Sequence, residues 1–374
     1  MPDRTALVIG AGIVGLATAR SLALNGYSVT VLERHARAVG ASIRNFGMIW
    51  PIGQPDGVLY ERALRSRSVW EELCTGAGLW YEKGGSLHLA YRPEEWDVLR
   101  EFAEASGKGR PVRLLDSEEA AEKSSAVQPQ GLLGALWSED ELIIESRVAM
   151  ERLPAYFTER YGITFHFGRA VTSIEYPWVT AGGERYMADR IVVCSGTDFE
   201  TLYPEQFRAA PLTTCQLQMM RLQEPPGGMR TGPSLCGGLS LIHYKSFAGA
   251  PSLERLQQVY AQERPEYLEH GIHVMMAQNQ RGELTVGDSH AYGAVHLPFD
   301  NRYINDLILD YLKTFTRLPR YEISQTWNGV YAKMTNGATE YITGPEPGVT
   351  IINGVGGAGM TLSFGLAEEW VRSL

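Results

Sequence analysis

The feature that most constrains this sequence is a glycine-rich loop close to the N-terminus, with the sequence GAGIVG from Gly10 to Gly15. An apolar, β-branched run over residues 5–9 precedes the loop, and Ala and Leu recur at helical spacing over residues 13–24. This order predicts a buried strand, a tight turn and a helix. The spacing G-x-G-x-x-G at such a junction is typical of a turn that binds the pyrophosphate of a dinucleotide.

Each glycine of the loop has its own task in such a turn. Gly10 permits the tight bend, Gly12 lets a pyrophosphate approach the backbone, and Gly15 lets the helix pack closely on the strand. Glu33 ends the next predicted strand, residues 28–32, at a position suited to accept hydrogen bonds from an adenosine ribose. The pattern predicts dinucleotide binding but does not separate NAD from FAD. The alternative is an ordinary glycine-rich turn with Glu33 at a solvated strand end.

Composition and charge argue against several classes of protein. The 374 residues predict two structural regions, and a net charge of -9 without a basic cluster argues against a nucleic-acid partner. The four cysteines are scattered and form no C-x-x-C pair, which suggests neither a metal site nor disulfides. No apolar run reaches the roughly 18 residues of a membrane span, and no signal peptide is recognisable. We therefore expect a cytoplasmic protein that does not bind membranes.

The rest of the chain alternates between helical and strand-like patterns. Helices are predicted over residues 60–77, 94–106, 117–123, 145–160, 251–261 and 303–312, and strands over 86–90, 163–167, 170–175 and 190–194. Residues 212–246 alternate in places between glycine and proline turn signals, which predicts an antiparallel sheet with long hairpins. Near the C-terminus a strand (349–353), the glycine run Gly354–Gly359 and a helix from about Thr361 repeat the order of the N-terminus.

Four segments further along the chain carry a family resemblance. They are GASIRNFGM from Gly40 to Met48, the strand Phe167–Ile174, the strand and turn Ile191–Gly196, and a C-terminal set. That set consists of WNG at residues 327–329, Thr343-Gly344 and the run from Asn353 to Thr361. Together with the N-terminal loop, these segments resemble the FAD-dependent glycine, sarcosine and D-amino-acid oxidase family (DAO family) over essentially the whole chain.

The resemblance implies FAD as the cofactor and names its contacts. In this family the segment corresponding to Gly40–Met48 crosses the flavin pyrophosphate and ring. The second glycine run places backbone N–H groups and a helix N-terminus at the flavin pyrimidine edge, where they stabilise negative charge on the reduced ring. The residues implied to bind FAD are Gly10, Gly12, Ile13, Val14, Gly15, Glu33, Arg34, Ala41, Ser42, Arg44, Asn45, Phe46, Gly47, Val171, Ser195, Gly196, Gly356, Gly357, Ala358, Gly359, Met360 and Thr361.

The implied fold class is α/β. A discontinuous Rossmann-like FAD-binding domain of the glutathione-reductase type is expected over residues 1–50, 140–211 and 325–374. A substrate-binding domain built on an antiparallel β-sheet is expected over residues 51–139 and 212–324. Some relatives attach flavin through a cysteine in the region corresponding to residues 332–335, and because no cysteine lies there we expect non-covalent FAD.

The resemblance also implies the reaction. Flavin takes a hydride from the carbon beside an amine, water hydrolyses the resulting imine, and oxygen or another acceptor receives the electrons. Because the cofactor performs the difficult step, the sequence need not contain an acid–base dyad. No residue of this chain is therefore singled out as a catalytic acid or base.

The sequence departs from the family at the substrate end. Many relatives place an arginine two residues after the glycine that corresponds to Gly329, where it holds a substrate carboxylate with two hydrogen bonds. This chain has Tyr331, and Lys333 follows on the same side of a strand as a point charge. We therefore expect a small anionic amine other than a plain α-amino acid.

A narrower resemblance favours one substrate class. The segments NFGMIWP and GGLSLIHYKSF are similar to a branch of the family associated with phosphonate degradation. The favoured substrates are N-methyl-2-aminoethylphosphonate and 2-aminoethylphosphonate. His243, Tyr244 and Lys245, in an apparent hairpin, are expected to help bind the anionic end. Met48 is expected to line the cavity unless it packs in the core.

Three other functions stay open at this point. A glycine, sarcosine or D-amino-acid oxidase would keep the family reaction with a carboxylate substrate. A flavin hydroxylase would need a Gly-Asp pair near the ribityl chain, and Gly287-Asp288 lacks the glycine turn and helix that should follow it. A protein that binds FAD for regulation or assembly without turnover is the third alternative.

Overall fold

The computed structural model describes residues 4–107 and 109–374. At the N-terminus the predicted strand, turn and helix are confirmed as β1 (Arg4–Ile9), the glycine loop and α1 (Ile13–Leu24). Gly26, with a φ of 82°, lies just past the helix and lets the chain reverse into β2 (Tyr27–Glu33).

The other elements follow in chain order. The remaining strands are β3 (Met48–Ile49), β4 (Tyr81–Glu82), β5 (Ser86–Ala90), β6 (Val112–Leu115), β7 (Gly134–Ser138), β8 (Leu142–Ile144), β9 (Thr164–Phe167), β10 (Val171–Glu175), β11 (Trp178–Ala181), β12 (Glu184–Met187), β13 (Arg190–Val193), β14 (Leu212–Leu222), β15 (Ser234–Cys236), β16 (Met275–Gln278), β17 (Leu284–Gly287), β18 (Ala291–Gly293), β19 (Ile323–Met334), β20 (Tyr341–Thr343) and β21 (Val349–Asn353). The remaining helices are α2 (Val58–Gly76), α3 (Pro93–Ser106), α4 (Ser117–Lys123), α5 (Ser146–Tyr161), α6 (Pro204–Ala209), α7 (Leu239–His243), α8 (Leu253–Glu263), α9 (Pro265–Glu269), α10 (Arg302–Phe315) and α11 (Gly359–Arg372).

A six-stranded sheet carries both glycine turns. Its order is β20-β21-β13-β1-β2-β9, and all neighbours run parallel except β20, which is antiparallel to β21. Both faces are covered, because Ala6 and Val8 of β1 face a core shared with α1 and α11, whereas Leu7 and Ile9 face a core shared with the β10-β11-β12 sheet. This double burial explains the continuous apolar sequence of β1.

A second, nine-stranded sheet is built largely from antiparallel pairs. Its order is β18-β14-β17-β16-β15-β5-β7-β6, and β19 pairs with β14 from Leu212 opposite Met334 to Leu222 opposite Ile323. Buried side chains of α3, α8 and α10 contribute to its core. The expected α/β fold with a parallel sheet and an antiparallel sheet is thereby confirmed.

The hairpin predicted around His243 is wrong. Residues 239–243 form the short helix α7, because the Ser240 hydroxyl and backbone N–H both donate to the Gly237 carbonyl and the backbone continues in helical turns. The alternating polar and apolar residues before this helix belong to β14, which pairs with the distant strands β17, β18 and β19. The hairpin signal was local, whereas the pairing is long-range.

The position of β19 bears on the predicted domain division. Residues 325–334, which the sequence assigns to the cofactor-binding domain, run along β14 in the nine-stranded sheet. At the C-terminal end of this strand, Lys333 forms an isolated antiparallel bridge with Val355, next to the second glycine run. The division into domains at the stated boundaries stays a prediction.

Over the described residues, none of the helices has both the length and the apolar character needed to cross a bilayer.

Candidate functional site

The first glycine turn has the geometry that its motif requires. Gly10 has a φ of 104°, and a β-carbon there would overlap the carbonyl oxygen of Cys194, which directly follows the neighbouring strand β13. A β-carbon on Gly15 would overlap the carbonyl oxygen of Gly10, so α1 can pack against β1 only with glycine at this position. A β-carbon on Gly12 would meet only the Ser42 hydroxyl, at 3.3 Å, so this part of the backbone is open to a ligand.

The segment predicted to cross the pyrophosphate lies over this turn. The Ile13 N–H, at the start of α1, donates a 2.9 Å hydrogen bond to Ser42 Oγ. Asn45 donates to the carbonyl of Ser42 and accepts from the N–H of Gly47, which fixes the fold of the segment. A helix N-terminus faced by small polar residues suits a pyrophosphate. The residues at the first turn therefore fit the phosphates of a dinucleotide.

Glu33 is held beside the same turn. Its carboxylate is 8% exposed and accepts hydrogen bonds from the N–H groups of Ala11, at 2.8 Å, and His35, at 2.9 Å. The alternative of a solvated strand end is therefore excluded for Glu33. Val171, predicted to contact the adenine, is buried in the core beneath Leu32 at the end of β2.

Two residues that the sequence interpretation missed, Asp198 and Asn353, lie where the adenosine is expected. Asp198 follows the predicted turn at Ser195 and Gly196 and forms an ion pair with Arg34. The side chain of Asn353 donates a 2.9 Å hydrogen bond to the Gly196 carbonyl and so ties β21 to this turn. Asp198 gave no signal because its partner lies more than a hundred residues away in sequence.

The second glycine turn lies next to the first. Gly354 and Gly356 have φ angles of 71° and 63°, and α11 begins at Gly359. A β-carbon on Gly359 would lie 3.5 Å from a methyl group of Ile13, so the start of α11 contacts the start of α1. The turns after β1, β13 and β21 all lie at the carboxyl edge of the parallel sheet, where such sheets bind their ligands. One extended dinucleotide can therefore contact both ends of the chain.

This pairing of two glycine turns agrees with the family comparison. The model of the DAO family, described as FAD dependent oxidoreductase, matches residues 5–372. The chain belongs to this family. FAD is accordingly the cofactor of this DAO-family protein, and the enzyme is an FAD-dependent oxidoreductase.

Individual relatives are more distant. A tRNA 5-methylaminomethyl-2-thiouridine biosynthesis bifunctional protein from Burkholderia lata is 30% identical over 246 residues, which cover 62% of this chain and 36% of that protein. The chain thus matches about a third of the length of this curated relative. Glycine oxidase from Bacillus cereus superposes with a TM-score of 0.77 at 16% identity, over 99% of this chain and 94% of that one. L-alpha-glycerophosphate oxidase from Mycoplasma pneumoniae, with FAD bound, superposes with a TM-score of 0.76 at 18% identity, over 100% of this chain and 94% of that one. These structural likenesses show the fold.

The segment Gly40–Met48, which is expected to cross the flavin, contacts strand β19. A β-carbon on Gly329 would lie 3.1 Å from the carbonyl oxygen of Arg44, so glycine allows the two segments to approach closely. The Arg44 guanidinium donates to the carbonyl of Asn328 at 3.3 Å. Phe46 lies beside Gly287 of β17, within van der Waals reach. This segment therefore packs against the strand that carries Tyr331 and Lys333.

Three predicted residues are held by packing. Met48 is 7% exposed and lies in the core of the large sheet, within strand β3, which pairs with β8. Core packing was the alternative to lining the cavity for this residue. Met360 and Thr361 are buried in the first turn of α11, where the Thr361 hydroxyl accepts a 2.9 Å hydrogen bond from the backbone N–H of Trp50. These contacts fix the position of the helix N-terminus.

Tyr331 and Lys333 lie at the second glycine turn. A β-carbon on Gly357 would lie 3.5 Å from the Tyr331 hydroxyl, which places this phenol against the turn. Burial, followed by the neighbouring Cys215, raises the pKa of Tyr331 well above its usual range, so the phenol stays protonated. The Lys333 ammonium donates a 2.9 Å hydrogen bond to the hydroxyl of Tyr292, which is itself 53% exposed.

His243 belongs to a cluster that the sequence did not reveal. Its ring centroid lies 3.8 Å from that of His273 and 4.7 Å from that of His290. Burial lowers the pKa of His290 to about 4 and that of His273 well below its usual range, and the charge of Lys333 acts in the same direction on both. Burial raises the pKa of Asp288, whose carboxylate lies 3.1 Å from the His273 ring nitrogen Nε2. His243 itself is exposed.

Acid precipitation is expected to release all of the FAD into the supernatant. No cysteine lies at residues 332–335, and the nearest thiol to Tyr331 is that of Cys215, directly opposite it on β14. Burial raises the pKa of Cys215 to about 11, so it stays an un-ionised and weakly nucleophilic thiol. Absorption spectra of supernatant and pellet test this expectation. Yellow colour that stays with the precipitate would contradict it.

Proposed function

We propose that this enzyme oxidises a small amine that carries a compact anionic group, and that the group is a phosphonate. The favoured substrates are N-methyl-2-aminoethylphosphonate and 2-aminoethylphosphonate. The observation that carries the proposal is the pair Tyr331 and Lys333 at the second glycine turn, with the Lys333 ammonium hydrogen-bonded to Tyr292.

The side chains at this position favour a tetrahedral anion over a carboxylate. A guanidinium presents a planar fork that matches the two oxygens of a carboxylate, whereas an ammonium is a point charge with three rotatable donors. Lys333 with the hydroxyl of Tyr292 can supply donors to a phosphonate from different directions. Neighbouring Tyr331 adds a protonated phenol and no second charge.

The chemistry divides between cofactor and protein. When bound, FAD would accept a hydride from the carbon beside the amine and pass the electrons to oxygen or another acceptor, and water would hydrolyse the imine to an aldehyde and an amine or ammonia. Lys333 binds the anionic end, which lies remote from the reacting carbon and so orients it. Tyr331 offers a hydrogen-bond donor and, because its pKa is raised, does not serve as a base at neutral pH.

A comparison of specificity constants tests the proposal. Glycine, sarcosine, D-alanine, 2-aminoethylphosphonate and its N-methyl derivative should be assayed with the same acceptor. We expect kcat/KM for the better phosphonate to exceed that of every carboxylate by at least about tenfold, equivalent to about 1.4 kcal/mol. A strong preference for a carboxylate would instead support a glycine, sarcosine or D-amino-acid oxidase.

A substitution at Tyr331 sharpens this test. Tyr331→Arg restores the residue type that many relatives have here and should raise kcat/KM for carboxylates while lowering it for phosphonates. Tyr331→Phe keeps the ring against Gly357 and serves as the control for packing. Unchanged relative specificity in the arginine variant, with full FAD content, would count against the role assigned to this position.

A further inference from the structure

Three histidines from distant parts of the chain meet close to Tyr292, the hydrogen-bond partner of Lys333. His243 ends α7, His273 lies just before β16, and His290 lies between β17 and β18. One ring nitrogen from each lies within 4.8 Å of the other two. Their ring centroids are separated by 3.8, 4.7 and 5.2 Å. Such convergence of three imidazoles is one of the commonest ways in which proteins bind transition metals.

The surroundings leave ring nitrogens free as electron-pair donors. The Nδ1 atom of His290 lies 3.0 Å from the Gly271 carbonyl oxygen, and because a carbonyl only accepts, Nδ1 carries the hydrogen and Nε2 does not. For His273, Nε2 faces Asp288 at 3.1 Å, whereas Nδ1 is buried without a hydrogen-bond partner. This ring, 3% exposed, therefore has a buried nitrogen whose bonding capacity is unfilled, and a metal ion bound to that nitrogen would fill it.

We propose that His243, His273 and His290 bind one divalent transition-metal ion such as Zn²⁺. Bonds of about 2.0–2.1 Å would place the three nitrogens about 3.4 Å apart, so small side-chain rotations from the present spacing complete the site. The hydrogen bond from His290 to a backbone carbonyl and the carboxylate beside His273 are the outer partners that metal-binding histidines usually have.

Asp288 lies beside this cluster. It is 4% exposed, and its Oδ1 atom, although 3.1 Å from His273 Nε2, has no partner in hydrogen-bond geometry among the described residues. A carboxyl oxygen in this place suits the outer partner of a metal-bound imidazole, which would orient the His273 ring.

The open side of the site faces the proposed anion position. His243 is the exposed member of the cluster, and the ring of His290 stacks at 6.3 Å on Tyr292, the hydrogen-bond partner of Lys333. A metal with three protein ligands keeps a position for an anionic oxygen. The ion would thus attract the same charged group as Lys333. The metal site stands on its own geometry and does not depend on the proposed substrate.

Metal content is the direct test and requires no substrate. The FAD-bound protein, dialysed against metal-free buffer, should contain about one equivalent of transition metal per chain by mass spectrometry. Removal with a chelator and addition of Co²⁺ should give the visible ligand-field bands of a cobalt–imidazole site. His273→Gln and His290→Gln should each lose the metal and the cobalt bands while keeping their FAD.

Two further variants serve as controls for the metal measurement. His270→Gln changes a histidine close in sequence whose ring packs on Tyr303, and it should keep a full complement of metal. His243→Gln alters the exposed ligand, so it reports on binding even if the buried variants fail to fold. Protein that contains less than about 0.1 equivalent of metal and binds no Co²⁺ would overturn the proposal.

Binding of inorganic phosphate distinguishes the metal proposal from the remaining interpretation, in which the histidines bind an anion. If metal-free protein bound phosphate and lost that binding in His273→Gln, the cluster would be an anion site and the metal proposal would be wrong. If no metal bound but phosphonate amines were oxidised, only the metal proposal would fail. If metal bound and only carboxylate amines were oxidised, only the proposed substrate would fail.

Discussion

Replacing Gly15 by alanine is expected to abolish FAD retention. The added β-carbon would overlap the backbone carbonyl of Gly10, and a backbone obstacle cannot move aside as a flexible side chain can. The turn must open or α1 must shift, and we expect a cost of about 3 kcal/mol or more, enough to weaken FAD binding more than about a hundredfold. FAD content after gel filtration and a titration with free FAD measure the effect.

Two other glycines provide matched controls. Gly12→Ala adds a methyl group that meets only the Ser42 hydroxyl, so the FAD-free protein should fold normally while its FAD affinity falls. Gly249→Ala adds a methyl group with no atom within 4 Å at ordinary backbone angles and should change neither property. Full FAD content in Gly15→Ala, or an equal loss in Gly249→Ala, would contradict the role given to the first glycine turn.

Replacing Lys333 by methionine is expected to raise KM for an anionic amine by about 10- to 100-fold. A hydrogen bond to a charged group contributes about 1.5–3 kcal/mol, and methionine keeps most of the side-chain volume without the charge. Because the anion is held alike in the ground state and the transition state, kcat should fall much less than kcat/KM. Steady-state kinetics with the best phosphonate substrate measure both constants.

Lys245 is the matched control for this substitution. It carries the same charge close in sequence to His243, but its ammonium donates to the Gly337 carbonyl on an exposed surface. Lys245→Met should leave both constants within about twofold of the unmodified enzyme, as for most exposed positions. Equal effects of the two substitutions would indicate general electrostatic attraction. An unchanged KM in Lys333→Met would remove Lys333 from the binding site.

The cofactor side could be predicted from sequence because its rules are local. The spacing of the first loop predicted α1 with its bounds, since strand, glycine turn and helix follow one another directly in the sequence and Gly15 avoids a clash with nearby Gly10. The second run was recognised by the same order of strand, glycines and helix, although α11 begins at Gly359, slightly before the expected Thr361. The alternation of Tyr331 and Lys333 along one strand also follows from local geometry.

The histidine cluster could not be predicted in this way. His243, His273 and His290 show no metal-binding spacing in sequence, and the cysteine pattern had suggested no metal site. They meet because backbone hydrogen bonds join His273 to Asp288 and because β15 places α7 beside β16. Such contacts depend on which distant strands pair, and a single sequence carries little information on that choice.

The central claim is that this chain uses FAD to oxidise a phosphonate-bearing amine. Anaerobic mixing of the FAD-bound protein with N-methyl-2-aminoethylphosphonate or 2-aminoethylphosphonate, followed by its visible absorption, tests it most directly. We predict that at least one of them bleaches the oxidised flavin band and that air restores it. An unchanged spectrum with both compounds would contradict the claim, and an unchanged spectrum with every amine tested would indicate an FAD-binding protein without turnover.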